Sequence, residues 1–249
     1  MATVPGTAPQ ARTELDLLIG KLDRLNRLDA ADLKAIRGLP WRSSEYRSNH
    51  YLVREGDVPT HCCLLLSGYA CRHKIAGDGG RQIVSFHMPG DLLDIQHLQL
   101  DRADHNVETI TAADVAWIAR SVLRRLLVDN PRIADAIWRD ALIDASIFRE
   151  WVLNVGRRDA KKRIAHMLCE FAARRDAAGL GSPDFFELPM TQEHIADATG
   201  LTSIHVNRML RELTSEGVIS REGRSVRITD WDLMRRVADF DPAYLHAAA

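Results

Sequence analysis

The sequence has few cysteines and little net charge. Its four cysteines in 249 residues are too few for a disulfide scaffold in a chain of this length. Cys62 and Cys63 are adjacent, which disfavours a bond between them, and we expect Cys71 and Cys169 to be small buried apolar residues. The formal net charge of −1 excludes a generally basic nucleic-acid coat protein, but it leaves room for a local basic face.

The sequence also lacks a long apolar run and internal repeats. No stretch approaches the roughly 20 apolar residues that cross a bilayer, and the start, MATVPGTAPQARTELD, has no apolar signal core. We therefore expect a cytoplasmic protein without a membrane partner. At 249 residues the chain is long enough for two domains with their own cores.

The hydrophobic pattern of the first half changes from helical to β-type. Helical spacing predicts short helices at Glu14–Leu25 and Ala30–Ile36, and Pro40 ends that section. Between Ser43 and about Ala119, short runs of β-forming residues alternate with Gly and Asp corners. This pattern predicts an all-β sandwich or roll.

A long helix is predicted from Pro131 to about Val155, with the proline in its first turn. A helix of about 25 residues is some 37 Å long, which is more than a small domain needs for its own packing. We expect the broad apolar surface of this helix to contact both the β-roll and a second copy of the chain, giving a homodimer. Gly156 and the RRD that follows it are expected to form the joint to the last domain. The expected dimer contacts are Ile137, Ala141, Ala145, Phe148, Trp151, Val152 and Val155.

The stretch TQEHIADATGLTSIHVNRMLREL, residues 191–213, has helical spacing on both sides of a glycine. Gly200 suits the left-handed conformation that ends a helix, and Thr202 or Ser203 can cap the helix that follows. This spacing is typical of a DNA-binding helix-turn-helix, although an ordinary αα-corner has the same local pattern.

The residues that follow favour DNA binding over a plain corner. In EGVISREGRSVRITD, short strands are predicted at Val218–Ser220 and Ser225–Ile228 around the turn 222–224. A helix-turn-helix followed by a basic hairpin is a winged helix, for which double-stranded DNA is the expected partner. The residues expected at the DNA are Thr191, Gln192, Thr202, Ser203, Ile204, His205, Asn207, Arg208, Arg211, Arg221 and Arg224.

The order of these parts resembles the CRP/FNR family of bacterial transcription regulators. The matching motifs are REGD (54–57), LLLSG (64–68), PGD (89–91), ADV (113–115), RRDAKKRIAHML (157–168) and the helix-turn-helix itself. The resemblance implies an α+β protein with an N-terminal cupin-like β-roll, similar to a cyclic-nucleotide-binding domain, a long dimerisation helix and a C-terminal winged helix-turn-helix. It implies a sensor at 1–130, the helix and hinge at 131–156 and the DNA-binding domain at 157–249.

Members of this family bind (pseudo)palindromic operators as dimers and switch transcription when the sensor detects a signal. The resemblance therefore implies a regulator and not an enzyme, with DNA, a second copy, RNA polymerase and an unidentified small-molecule effector as partners. Two alternatives stay open: a cyclic-nucleotide-responsive regulator, and a metal-binding cupin-like β-roll with catalytic activity. Against the second, the sequence has no HxH pair followed by a Glu and a distant His.

The sensor segment PGDLLDIQHLQLDRADHNVET departs from the cyclic-nucleotide binders of the family. Those proteins follow PGD with Gly-Glu and then an Arg, which hold ribose and phosphate. Here Asp94 stands in place of the Gly and Ala103 in place of the Arg, with Arg102 one position away and so on the opposite face of a strand. We therefore expect an unrelated effector or constitutive DNA binding. The candidate effector residues are Asp94, Arg102, Phe148 and Arg149.

No cofactor is expected from the sequence. An iron–sulfur sensor needs four suitably placed thiolates, commonly near the N-terminus in FNR-like relatives, and no Cys precedes Cys62. A haem sensor would need axial ligands near the PGD corner, where His97 lies beside residues that differ from the ligands of the haem-binding relative. Five residues are candidate ligands of a metal site, but we expect them to be exposed or paired singly. They are His87, His97, His105, Asp94 and Asp104.

The start of the second helix of the corner indicates which bases it can contact. Family proteins commonly have a Glu there and an Arg four residues later; this chain has Ile204 and Arg208. Arg208 can bond guanine O6 and N7, whereas Ile204 can contact only a thymine methyl. Thr191 and Gln192 are expected to bind phosphate.

Overall fold

The computed structural model describes residues 14–246. Most of the N-terminal segment MATVPGTAPQARTELD lies outside this range. The first residues of the predicted sensor and the last residues of the predicted DNA-binding domain also lie outside it. The described chain begins with helices α1 (Asp16–Leu25) and α2 (Ala30–Arg37). The Asp29 carboxylate caps α2 by accepting from the N–H groups of Ala31 and Asp32, and Asp32 accepts from the N–H of Asp29. Both predicted helices are confirmed, apart from one or two end residues.

Seven strands between residues 42 and 119 form two antiparallel sheets. They are β1 (Arg42–Tyr46), β2 (Tyr51–Val53), β3 (His61–Leu65), β4 (Ala70–Ile75), β5 (Arg81–His87), β6 (Asn106–Thr109) and β7 (Ala113–Ala119). The strand orders are β1-β7-β3 and β2-β6-β4-β5. Leu65 and Val115 of the first sheet pack with Val53 and Val107 of the second in one buried cluster. The predicted β-roll is confirmed.

Two helices follow the roll, and one of them was not predicted. Helix α3 (Arg120–Asp129) buries Leu123 and Leu126, which lie at helical spacing. Helix α4 (Pro131–Arg157) has 27 residues and is therefore about 40 Å long. Gly156 lies within α4, so the expectation that it belongs to the joint is wrong. The chain does leave the helix within the predicted RRD segment, at Arg158, whose backbone is extended.

The last part of the chain is a three-stranded sheet packed on helices. Its elements are α5 (Ala160–Ala177), β8 (Phe185–Glu187), α6 (Gln192–Thr199), α7 (Ser203–Ser215), β9 (Ile219–Glu222), β10 (Ser225–Ile228) and α8 (Trp231–Ala238). The strand order is β8-β10-β9. The sequence predicted the β9–β10 hairpin, but β8 and α8 were missed. The α+β class with a C-terminal winged helix is confirmed.

The β-roll and the winged helix share one hydrophobic core. Ile83 and Phe86 of β5 belong to the same buried cluster as Ile164, Leu168 and Phe171 of α5. The four cysteines are free and buried, as expected, and burial raises the pKa of the Cys71 and Cys169 thiols to about 12. No helix within residues 14–246 combines the length and apolar character needed to span a membrane.

Candidate DNA-binding surface

The corner between α6 and α7 is built on Gly200. Its φ of 67° and ψ of 37° are left-handed, a conformation that a side chain would strain. The N–H of Leu201 donates to the carbonyl of Ala196 at 3.0 Å, which closes the end of α6. Thr202 begins α7 as its N-cap, with its hydroxyl accepting from the N–H of His205 at 3.3 Å. The predicted turn and cap are confirmed.

The start of α6 is also capped. The Thr191 hydroxyl accepts from the N–H of His194 at 3.2 Å, and the His194 Nδ1 accepts from the N–H of Thr191 at 3.3 Å. Burial lowers the pKa of His194, which favours the neutral ring that this second bond needs. The Asn207 Nδ2 donates to the Gln192 Oε1 at 3.3 Å and so connects α6 to α7. Thr191 and Gln192 therefore have structural roles beside the predicted contact with phosphate.

Helix α7 has one buried and one exposed face. Val206, Met209, Leu210 and Leu213 are buried, and Ile204 on the opposite face is 83% exposed. We call the exposed face the α7 surface. Within residues 14–246 its side chains have no hydrogen-bond or ion-pair partner, so they are available to a ligand. Its residues are Ser203, Ile204, His205, Arg208 and Arg211.

Several basic residues near α7 are already paired within the chain. The Lys161 Nζ bonds both carboxylate oxygens of Glu216 at 2.8 and 3.0 Å, which raises the pKa of Lys161. The Arg224 Nε donates to the carbonyl of Leu188 at 3.2 Å. Arg221 is half-buried on the hairpin. These cations are less available to DNA than Arg208 and Arg211.

The structure does not bring the candidate effector residues together in a recognisable pocket. Asp94 is fully buried, and its Oδ1 accepts from the N–H of Cys63 at 2.8 Å. Arg102 is exposed and donates to the carbonyl of Gly56 at 3.2 Å; it precedes β6, so the expectation that it leaves a strand is wrong. Arg149 is exposed and Phe148 is half-buried.

Arg72 is a buried cation of the roll that no sequence motif indicates. The Arg72 Nη2 donates to the carbonyl of Leu93 at 2.7 Å, and its Nη1 bonds the Asp144 Oδ2 of α4 at 2.9 Å. Its guanidinium carbon lies 5.6 Å from the centre of the Phe148 ring. Arg72 thus joins β4 to α4. A buried arginine in a strand has no local signal, because its partners lie far along the chain.

Each histidine considered as a metal ligand faces an acidic side chain, and the rings of His97 and His105 stack with centres 6.0 Å apart. His87 faces Asp91 at 3.5 Å, and His97 faces Asp94 at 3.7 Å. His105 bonds Asp104, and burial lowers the pKa of His105 to about 4. Within residues 14–246, no three His, Cys, Asp or Glu side chains are grouped so that they could hold a metal ion.

The exposed side of α4 differs from the predicted dimer contacts. Ile137 and Trp151 are buried within the chain, and the Trp151 Nε1 donates to both oxygens of Glu170 at 3.0 Å. Their assignment to the dimer contact is therefore wrong. Trp138 is 66%, Leu142 50% and Val152 71% exposed. We call Trp138, Leu142, Ala145 and Val152 the apolar stripe.

Comparison with known proteins gives the same two-part division. Residues 43–130 match the cyclic nucleotide-binding domain, and residues 162–237 match the Crp-like helix-turn-helix domain. The chain is 31% identical to the nitrogen fixation regulation protein FixK of Bradyrhizobium diazoefficiens, over 78% of this chain and 80% of FixK. It is 29% identical to the transcriptional activator protein FnrL of Cereibacter sphaeroides, over 82% and 83%. The structure of FixK2 from Bradyrhizobium japonicum superimposes with a TM-score of 0.72 at 25% identity, covering 80% of this chain and 98% of FixK2.

Proposed function

This chain belongs to the CRP/FNR family of transcription regulators, and from that premise we propose that it binds a (pseudo)palindromic operator as a homodimer. The observation that carries the proposal is the α7 surface, whose polar side chains are exposed and unpaired within the described chain. DNA as the partner implies action in the cytoplasm. We propose the sensor at 1–130, the long helix at 131–156 and the DNA-binding domain at 157–249.

We propose that α7 lies in the major groove with its N-terminal half toward the bases. Arg208 would bond O6 and N7 of a guanine, and Ile204 would contact a thymine methyl. The remaining predicted residues would contact phosphates or further base edges. They are Thr191, Gln192, Thr202, Ser203, His205, Asn207, Arg211, Arg221 and Arg224.

The apolar stripe supports the homodimer. Trp138, Leu142, Ala145 and Val152 follow one another at intervals of four, three and seven residues, which fits the spacing of a coiled-coil contact with the exposed Arg149 at the position between Ala145 and Val152. Two parallel copies of α4 would bury these side chains against each other and would place two α7 helices on one duplex. This arrangement suits two half-sites about one turn of DNA apart.

The remaining partners are proposed from the family. A dimer that regulates transcription would act on RNA polymerase, and the roll would detect an unidentified signal. The relatives FixK and FnrL carry the names of regulators, so we propose a regulatory and not a catalytic role for the β-roll.

The proposal is tested by Arg208→Ala in the full-length protein. We expect operator affinity to fall by about 1–3 kcal/mol, with most of the loss at one guanine in each half-site, because one bidentate contact is removed. Fluorescence anisotropy at fixed salt measures it. Arg27→Ala is the matched control, since that exposed arginine lies in the loop between α1 and α2 and also removes one positive charge. Equal affinities of Arg208→Ala and the control would contradict the assignment.

A further inference from the structure

A cavity of about 400 Å³ lies where the roll, α4 and the DNA-binding domain meet. We call it the junction cavity. Its walls come from α1, the turn after β5, α4, α5 and the C-terminal turn at 242–245. Its volume is in the range of small-molecule sites, and such sites often lie between domains. None of Asp94, Arg102, Phe148 and Arg149 lines it, so it is separate from the predicted effector residues.

The cations on the cavity wall are largely neutralised. The Lys21 Nζ bonds the Asp91 Oδ1 at 2.8 Å and the Asp140 Oδ1 at 2.9 Å. Arg174 lies 3.4 Å from the Asp91 Oδ2 and 3.6 Å from Glu170. An incoming anion would therefore compete with carboxylates that these two cations already hold. The third lining cation, Arg24, is at the exposed rim.

The carboxylates retain acceptor capacity. The Asp144 Oδ2 accepts from Arg72, and within residues 14–246 its Oδ1 has no partner. Asp140 likewise uses only one oxygen, toward Lys21. Four aspartates line the cavity against three Lys and Arg side chains. The lining carboxylates therefore exceed the lining Lys and Arg side chains by one negative charge. Arg72 and Glu170 lie outside the cavity and pair with lining residues. Because they carry opposite charges, they do not change this balance.

Much of the remaining wall is apolar and includes Leu17, Leu25, Leu92, Ile143 and Ile147. His87 and His246 are the other polar side chains that line the cavity. We propose that the junction cavity binds a small, largely apolar molecule that carries a cationic amine, with the amine donating to Asp140 and Asp144. A carboxylate of the same shape would meet like charge at both positions.

Such a ligand would contact both halves of the regulator. Met88 and Asp91 belong to the roll, whereas Arg174 and Ala177 belong to the first helix of the DNA-binding domain. This step rests on the proposed function. A ligand that favours one relative position of the roll and the DNA-binding domain then changes the affinity for the operator. Binding to the cavity does not depend on that function, so the two ideas can fail separately.

The test is calorimetric titration of the full-length protein, without DNA, with tryptamine and with indole-3-acetate as its anionic counterpart. We expect saturable tryptamine binding, at one site per chain, and at least about tenfold weaker binding of the acid. Tryptamine should also raise the Tm. Equal binding of amine and acid, or no saturable binding of tryptamine at millimolar concentration, would overturn the proposal.

Two variants locate the site. Asp144→Asn keeps an acceptor for Arg72 but removes the charge, and Ala177→Trp fills the cavity from the end of α5. Both should weaken tryptamine binding by at least about tenfold, whereas Asp135→Asn, an exposed position of α4 away from the cavity, should not. Circular dichroism checks that each variant is folded. If Ala177→Trp is unfolded, the comparison of Asp144→Asn with Asp135→Asn tests the site. If neither folded variant weakens tryptamine binding, the ligand does not bind in the junction cavity. Titration with operator DNA measures DNA binding separately.

Discussion

The α7 surface and the interior of the β-roll both contain polar side chains, but they use them in opposite ways. Arg208 and Arg211 of α7 are exposed and have no partner within the described residues. Arg72 and Asp94 of the roll are buried and bonded to Leu93, Asp144 and Cys63. A buried polar group must find partners within the fold, whereas an exposed one stays available to a ligand. Substitutions should therefore alter DNA affinity at α7 and stability in the roll.

The largest expected effect comes from substitutions in the apolar stripe. They should prevent dimerisation and leave the α7 surface of each monomer unchanged. Leu142→Glu with Val152→Glu would place charges in the proposed dimer contact and give monomers. Operator affinity should then fall by about a hundred- to ten-thousandfold, because the second half-site no longer adds to the first. Sedimentation and anisotropy measure the two changes.

The matched control for the stripe is Val58→Glu with Val128→Glu, two exposed apolar residues outside α4. This variant should stay dimeric and keep its operator affinity. A wild-type protein that sediments as a monomer at micromolar concentration would contradict the dimer.

The next effect concerns the interior of the roll. Arg72→Leu leaves Asp144 and the carbonyl of Leu93 without their cation, and we expect the free energy of unfolding to fall by about 2–3 kcal/mol. This is at or below the lower end of about 3–5 kcal/mol for a broken buried pair, because the side chain of Asp144 is 33% exposed. Urea unfolding at fixed protein concentration measures it. The folded variant should keep its operator affinity. If the variant keeps its stability but loses DNA binding, Arg72 acts in DNA binding and not in stability, contrary to this comparison.

The smallest expected effect is the response to cyclic nucleotides, which should be absent. A cyclic phosphate carries a full negative charge and needs an arginine and N–H donors when it is enclosed. Ala103, which the resemblance to the family predicts in place of the arginine, is buried, and Arg72 is already held by Leu93 and Asp144. Calorimetry with cyclic AMP and cyclic GMP should show no heat up to millimolar ligand. Micromolar binding that Arg102→Ala abolishes would mean that Arg102 supplies the missing contact.

The helix-turn-helix could be predicted because its signals are local. Gly200 requires a left-handed turn, Thr202 caps the next helix, and the buried residues of α7 repeat at helical spacing. Each signal lies within a few residues of the structure that it predicts, so one sequence suffices. The same holds for the β9–β10 hairpin around Gly223, whose φ is 58°.

The two sides of α4 could not be told apart from spacing alone. Ile137 and Trp151 belong to the apolar pattern of the helix, but Ile137 packs in the cluster that contains Leu22 of α1, and Trp151 packs against Phe86 of β5 with ring centres 6.0 Å apart. These partners are distant in sequence. The helical period shows that a helix is apolar on more than one side, but it does not show which side the rest of the chain covers. Trp138 was therefore missed.

The central claim is that the α7 surface of a dimer recognises a specific DNA sequence, and selection of bound duplexes from a random pool by the full-length protein tests it most directly. We predict enrichment of two inverted half-sites about 10–10.5 base pairs apart, centre to centre, with a guanine at one fixed position in each. That guanine preference should disappear with Arg208→Ala. A pool without any enriched sequence, or an enriched site that Arg208→Ala leaves unchanged, would contradict the account.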